Sequence, residues 1–158
     1  MIKIGQSIDI HQLRKGRDLI IGGVKIPFEK GLYGHSDADV LLHAIIEAII
    51  GALGLGDIGK HFPDTNKEYE GISSLILLEY TYELLTKEGY KIGNIDSIIL
   101  AENPKMAPYI HEMRENIAER LKTNIRNINI KATRGEKMGF IGNEEGMIAQ
   151  VVVVIMKK

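Results

Sequence analysis

Between Asp37 and about Leu53 the chain is helical in period and apolar nearly all round. A helix of that kind needs apolar neighbours on nearly every side, so the rest of the fold must be arranged around it. Only Asp39, His43 and Glu47 interrupt it, spaced four apart on one stripe. An unpaired buried polar group costs about 1–3 kcal/mol, so these three side chains need partners. Either they satisfy one another along the helix, or distant segments bring groups to them.

The flanking patterns predict the other elements. Ile2 to His11 alternates, with Ile2, Ile4, Ile8 and Ile10 on one face, which places Asp9 and His11 together on the other. LIIGGVKIP reads as a hairpin turning at Gly22-Gly23. GALGLGDIGKHFPDTN is expected to be irregular, and a helix is expected from about Ile72 to Glu88, closed by Gly89. NIDSIILA predicts a strand. Pro108 then sits in the first turn of a helix carrying Ile110, Met113, Ile117 and Leu121 on one side. NINIKA alternates as a strand, and GMIAQVVVVIM is apolar enough for a strand buried on both faces. Strand, helix and strand there make a crossover unit. The 158 residues fit one α/β (α+β) domain, spanning 1–158, with a mixed sheet and helices on one side, and no repeat or linker interrupts it.

Composition narrows the chemistry. The net charge of −1 argues against a nucleic-acid binder driven by bulk charge. There is no cysteine, so a metal would be held by histidine and carboxylate. The start lacks a signal pattern and no apolar run approaches spanning length, so the default expectation is a cytoplasmic protein away from the membrane. Gly54, Gly56 and Gly59 spell G-x-G-x-x-G, but the motif follows a helix instead of a strand and Pro63 interrupts the next helix. A dinucleotide site is therefore rejected. No P-loop, nucleophile elbow or cysteine nucleophile is present.

Asp9 and His11 offer a carboxylate and an imidazole from one rigid strand. The plain reading is a polar sheet edge; the sharper one adds His43 and makes a three-ligand divalent-metal site with a fourth position open, as catalytic zinc is held. Ser36 and Asp39 have capping-box spacing, and His35 lies just outside that cap, where a helix N-terminus attracts phosphate. Glu136 stands near Lys131, Thr133, Arg134 and Lys137. That setting suits a magnesium shared with substrate phosphates, or else a solvated loop with a surface ion pair.

Five separated motifs, in order and across essentially the whole chain, carry a family resemblance. They are D-I-H at Asp9 to His11, H-S-D-A-D-V-L-L-H at His35 to His43, G-D-I-G-K-H-F-P-D-T at Gly56 to Thr65, A-E-N-P-K-M at Ala101 to Met106, and K-A-T-x-x-E-K-M-G-F at Lys131 to Phe140. Together they resemble the 2-C-methyl-D-erythritol 2,4-cyclodiphosphate synthase family of the non-mevalonate isoprenoid route. The resemblance implies a phosphorus-oxygen lyase that cyclises 4-diphosphocytidyl-2-C-methyl-D-erythritol 2-phosphate and releases CMP. It also implies a homotrimer whose sheets face the centre, with active sites between subunits.

The residues follow from the same resemblance. Asp9, His11 and His43 match the zinc ligands. Glu136 matches the ligand of a second metal, Mg2+ or Mn2+, shared with the substrate phosphates. His35 and Ser36 match positions at the substrate phosphates; His35 and Thr133 are expected to be catalytic, and Arg134 is counted with them as a cation that could serve phosphates, although the role of the threonine it replaces does not transfer to it. Asp57, Gly59, Phe62, Asp64 and Asn66 match the methylerythritol pocket. Ala101, Pro104, Lys105, Met106 and Ala107 match the loop that takes the cytidine from a neighbouring subunit, and Phe140 is counted with the substrate-binding residues. There are departures: the family usually has glycine at Ala38, a G-F or G-Y pair at Ser7-Ile8, a second threonine at Arg134, aspartate at Asn66, and in many members an arginine at Asn143.

Overall fold

A computed structural model describes residues 1–158. The chain opens with β1 (Ile2–Lys15), the hairpin of β2 (Leu19–Ile21) and β3 (Val24–Ile26), and β4 (Lys30–Tyr33). Next come α1 (Val40–Leu53), the one-turn α2 (Ile58–His61) and α3 (Ser74–Lys87). The second half runs β5 (Tyr90–Leu100), α4 (Ile110–Arg120), β6 (Ile128–Thr133), α5 (Gly139–Gly142) and β7 (Gly146–Lys157). Five strands form one sheet in the order β4-β1-β7-β5-β6, antiparallel throughout except for the parallel β5–β6 pair. That pair flanks α4 in the chain, so the expected crossover is present. The fold is a single α+β domain with a mixed sheet and helices on one side. No helix is long and apolar enough to cross a membrane.

α1 is the centre of the core, with eleven of its fourteen residues buried. It lies across β1 and β7, and the crossing is close enough that a Cβ at Gly5 would stand 1.9 Å from the Ala48 carbonyl oxygen. Only glycine permits that approach, which is what seats the helix against the strand bearing Asp9 and His11.

The cap of α1 differs from the expected box. Asp39 itself is the N-cap and accepts from Leu42 N, while Ser36 lies outside the helix. The reason is Ala38, buried and in the left-handed region at φ 57°, which turns the chain before the helix starts. Such a conformation costs an L-residue about 1–2 kcal/mol. The remaining Asp39 oxygen capacity accepts from Gly22 N and Gly23 N at 2.9 and 2.8 Å, tying the hairpin turn to the helix.

β7 also departs from expectation. Met147, Ala149, Val151, Val153 and Ile155 are buried, but Gln150, Val152 and Met156 on the other face are exposed. All the helices pack on one side, so an apolar strand in mid-sheet is covered once only. The isoleucines of β1 share the bare side: Ile2, Ile4, Ile8 and Ile10 are each more than half exposed. One sheet face thus leaves Ile2, Ile4, Ile8, Ile10, Val152 and Met156 in water, with Gln6 and Gln150 among them. The helix expected from Ile72 begins at Ser74 behind its cap Ser73, and Pro108 lies in a short 3-10 turn leading into α4.

Candidate active site

β1 and α1 bring Asp9, His11 and His43 together. His11 Nε2 is 2.8 Å from Asp9 Oδ2 and 3.2 Å from His43 Nδ1, and His43 Nδ1 is 3.5 Å from the same carboxylate oxygen. These separations bracket the edge of about 3.4 Å of a tetrahedron with metal–ligand arms of 2.0–2.1 Å. His11 Nδ1 lies 3.0 Å from the Tyr33 carbonyl oxygen, which can only accept. In the neutral ring Nε2 therefore carries the lone pair, aimed at the other two ligand atoms. Asp9 Oδ2 is buried and, despite its closeness to His11, makes no well-directed hydrogen bond. An unsatisfied carboxylate oxygen facing imidazole nitrogens is the arrangement a divalent cation completes, and the three residues fit such an ion.

Electrostatics agree. Burial alone would raise the Asp9 carboxyl, but the close imidazoles of His11 and His43 more than offset it and hold Asp9 below the usual carboxylate range. Burial alone would lower His11, yet Asp9 and the Tyr33 carbonyl bring it above the ordinary imidazole value. A proton and a metal ion compete for this position, as at other histidine–carboxylate sites.

The other two polar residues of the α1 stripe do not satisfy His43 or each other. Asp39 caps the helix, and burial followed by the nearby Asp37 charge pushes its carboxyl up to about 6. Glu47 accepts from Ser7 Oγ at 2.7 Å and lies 3.4 Å from Ile58 N, joining the middle of β1 to α2. The departure Ser7 thus has a partner inside this chain. Within α1, Asp39 satisfies one backbone N–H of the first turn, that of Leu42.

The metal triad opens into a cleft of about 1010 Å3. His35 and Ser36 form one wall; Gly59, Phe62 and Asp64 form another. His35 Nε2 is 2.8 Å from the Asn66 carbonyl oxygen, which ties the two walls together. Asp57 uses its carboxylate to cap α2 through Lys60 N, and the Asn66 side chain accepts from Glu68 N. Neither side chain lines the cleft.

Ala101, Pro104, Lys105, Met106 and Ala107 line a second crevice of about 350 Å3 together with Thr133 and Arg134. Gly135 N donates to Glu102 Oε2 there, binding the two loops to each other. Glu136 and Phe140 are exposed and line neither cleft, and Glu136 has φ 53°. The suggested surface ion pair involves Lys131 with Asp96, at 2.7 Å, and not Glu136. Within one chain the site residues therefore fall into two groups.

Sequence reasoning missed Arg17, Asp37 and Ser74. Arg17 lines the main cleft and donates to the Leu32 and Ser36 carbonyl oxygens at 3.0 and 3.2 Å. Ser74 Oγ reaches His43 Nε2 and also Asp37. The only sequence signal was the S-D-x-D spacing, which reads as capping.

Comparison with known proteins supplies the remaining observation. Residues 2–156 match the YgbB family model. A 2-C-methyl-D-erythritol 2,4-cyclodiphosphate synthase of Geobacillus sp. (strain WCH70) is 56% identical over 158 residues, covering 100% of both chains. The structure of a bifunctional IspDF from Campylobacter jejuni aligns with a TM-score of 0.96 and 39% identity, over 100% of this chain and 43% of that longer one. A CDP complex of IspF from Plasmodium falciparum aligns with a TM-score of 0.87 and 34% identity, over 99% and 97% of the two chains.

Proposed function

The chain belongs to the YgbB family, and from that premise we propose how its residues carry out the family's reaction. The protein is a 2-C-methyl-D-erythritol 2,4-cyclodiphosphate synthase, a lyase of the non-mevalonate route to isoprenoid precursors. An oxygen of the substrate's 2-phosphate attacks the β-phosphorus, and the bond from that phosphorus to the bridging oxygen breaks. CMP leaves with the bridging oxygen and an eight-membered cyclic diphosphate remains. No water is consumed and no protein nucleophile is needed.

The observation that carries this reading is the convergence of Asp9, His11 and His43 in a cleft walled by His35 and Ser36. Zinc suits the three-ligand set, and Mg2+ or Mn2+ with Glu136 suits the phosphates. Such ions supply positive charge where two anionic groups must meet and where charge develops on the leaving phosphate. His35 and Ser36 orient the reacting phosphates. Gly59, Phe62 and Asp64 enclose the methylerythritol carbon chain, with Asp57 and Asn66 shaping that wall through the backbone they cap. Lys105, Met106 and neighbours receive the cytidine, while Thr133 and the cationic Arg134 take phosphate oxygens.

The two groups of residues meet in a homotrimer. The apolar sheet face turns to the trimer centre, and the Ala101–Ala107 crevice of one subunit completes the metal cleft of the next. The proposed location is the cytoplasm. Turnover in 18O-labelled water tests the chemistry: CMP and the cyclic product should carry no solvent oxygen. Label in a product phosphate would instead mark a metal-dependent phosphohydrolase, and this reading would fall.

A further inference from the structure

His43 Nε2, the ring nitrogen turned away from the metal position, lies 2.9 Å from Ser36 Oγ and 2.9 Å from Ser74 Oγ. The two hydroxyls are not equivalent. Ser74 Oγ is in short hydrogen-bond contact with Asp37 Oδ1, and Ser74 N donates to Asp37 Oδ2 at 3.0 Å. A carboxylate can only accept, so the single hydroxyl hydrogen of Ser74 is committed to Asp37. Toward His43, Ser74 then offers nothing but a lone pair. The imidazole must answer with Nε2–H, which leaves the lone pair on Nδ1, facing Asp9 and His11.

We propose that Asp37 and Ser74 are positioning residues that lock the His43 tautomer competent to bind the metal. Asp37 and Ser74 touch none of the three ligand atoms; they act only through the far side of His43. Ser74 is fully buried, and backbone pairing fixes the geometry: Asp37 N donates to Ile72 O and Gly71 N donates to His35 O. The segment before α3 is thus laced to the turn before α1. The arrangement has a further consequence. Because Ser74 sets the direction of hydrogen bonding, Ser36 is not required to donate to His43, and its hydroxyl hydrogen remains available in the cleft for a substrate phosphate oxygen. Without Ser74, Ser36 Oγ–H is free to donate to Nε2 and stabilise the opposite tautomer, with the proton on Nδ1 where the metal belongs. Partners beyond the first ligands of this kind typically change metal affinity by about 10–100-fold.

The inference rests on His43 being a metal ligand, and its test separates the two claims. The His43 tautomer is read in the metal-free chain by long-range 1H–15N correlation of the imidazole nitrogens, at a pH where the ring is neutral. The full chain should show Nε2–H, and Ser74→Ala should shift the population toward Nδ1–H. Zn2+ affinity, measured by chelator competition, should fall about 10–100-fold in Ser74→Ala and in Asp37→Asn. The double variant should be no weaker than the worse single one, because both act through one chain of hydrogen bonds. Unchanged thermal unfolding of metal-free Ser74→Ala shows that the loss is not one of fold. A predominant Nδ1–H tautomer in the unaltered chain, a Zn2+ affinity within twofold of it in Ser74→Ala, or losses that multiply in the double variant would each overturn the proposal. Failure of the unaltered chain to bind Zn2+ would instead overturn the ligand set.

Discussion

Replacing His43 with alanine is expected to remove the bound metal and at least about a thousandfold of the cyclisation rate, a loss of roughly 4 kcal/mol of transition-state stabilisation. The fold should survive. α1 is anchored by Leu41, Leu42, Ile45, Ile46, Ile49 and Ile50, all fully buried, and by the Asp39 cap, none of which involves the imidazole. The truncation leaves Ser36 and Ser74 facing a small void beside an open cleft that water can enter, so the stability cost is that of a few lost contacts. Asp9 and His11 remain, but two ligands spaced two residues apart on one strand do not enclose an ion. Metal analysis after dialysis, circular dichroism and turnover check the three parts of the expectation. Retention of stoichiometric metal by His43→Ala would refute the ligand set.

The second large effect lies on the opposite face of the sheet. Carrying Ile4→Asp and Val152→Asp together should convert the assembly to single chains and abolish turnover. Ile4 is 70% exposed and Val152 42% exposed in the isolated chain, and they stand near one another across the β1–β7 pairing. Burying an isoleucine or valine contributes about 1.5–3 kcal/mol, and placing a carboxylate there adds a desolvation cost on every copy. Sedimentation should show the mass of one chain in place of three. Zn2+ affinity should stay unchanged, because Asp9, His11 and His43 all belong to one chain and their side chains point to the helix side. Loss of activity with retained metal is the signature of a cleft completed by a neighbour. A variant that remains trimeric, or a monomer with full activity, would contradict the proposed assembly.

The long periodic elements were readable from residue pattern because one physical rule governs each of them. The α1 run, the alternation of β1 and the β5-α4-β6 crossover all follow from which side chains must leave water. Asp9 and His11 were legible for the same reason, as same-face residues two apart. The α1 cap was misplaced because the deciding fact, the left-handed turn at Ala38, leaves no mark in a non-glycine residue. β7 was expected to be buried twice because a run of valines has no alternation to reveal a bare face. The contacts from Ser74 and Asp37 join segments more than thirty residues apart with no periodicity between them, and only the folded backbone pairs them. The separation of Lys105 and Thr133 from the metal cleft was hidden as well, since motif order along a chain does not say which wall each motif lines.

Phosphorus NMR of the products tests the central claim most directly. The purified chain, loaded with Zn2+ and supplied with Mg2+, is incubated with 4-diphosphocytidyl-2-C-methyl-D-erythritol 2-phosphate. The account predicts CMP and one cyclic diphosphate, its two phosphorus nuclei coupled to each other, formed in equal amounts. CMP accompanied only by linear phosphates, or substrate bound and returned unchanged, would contradict it.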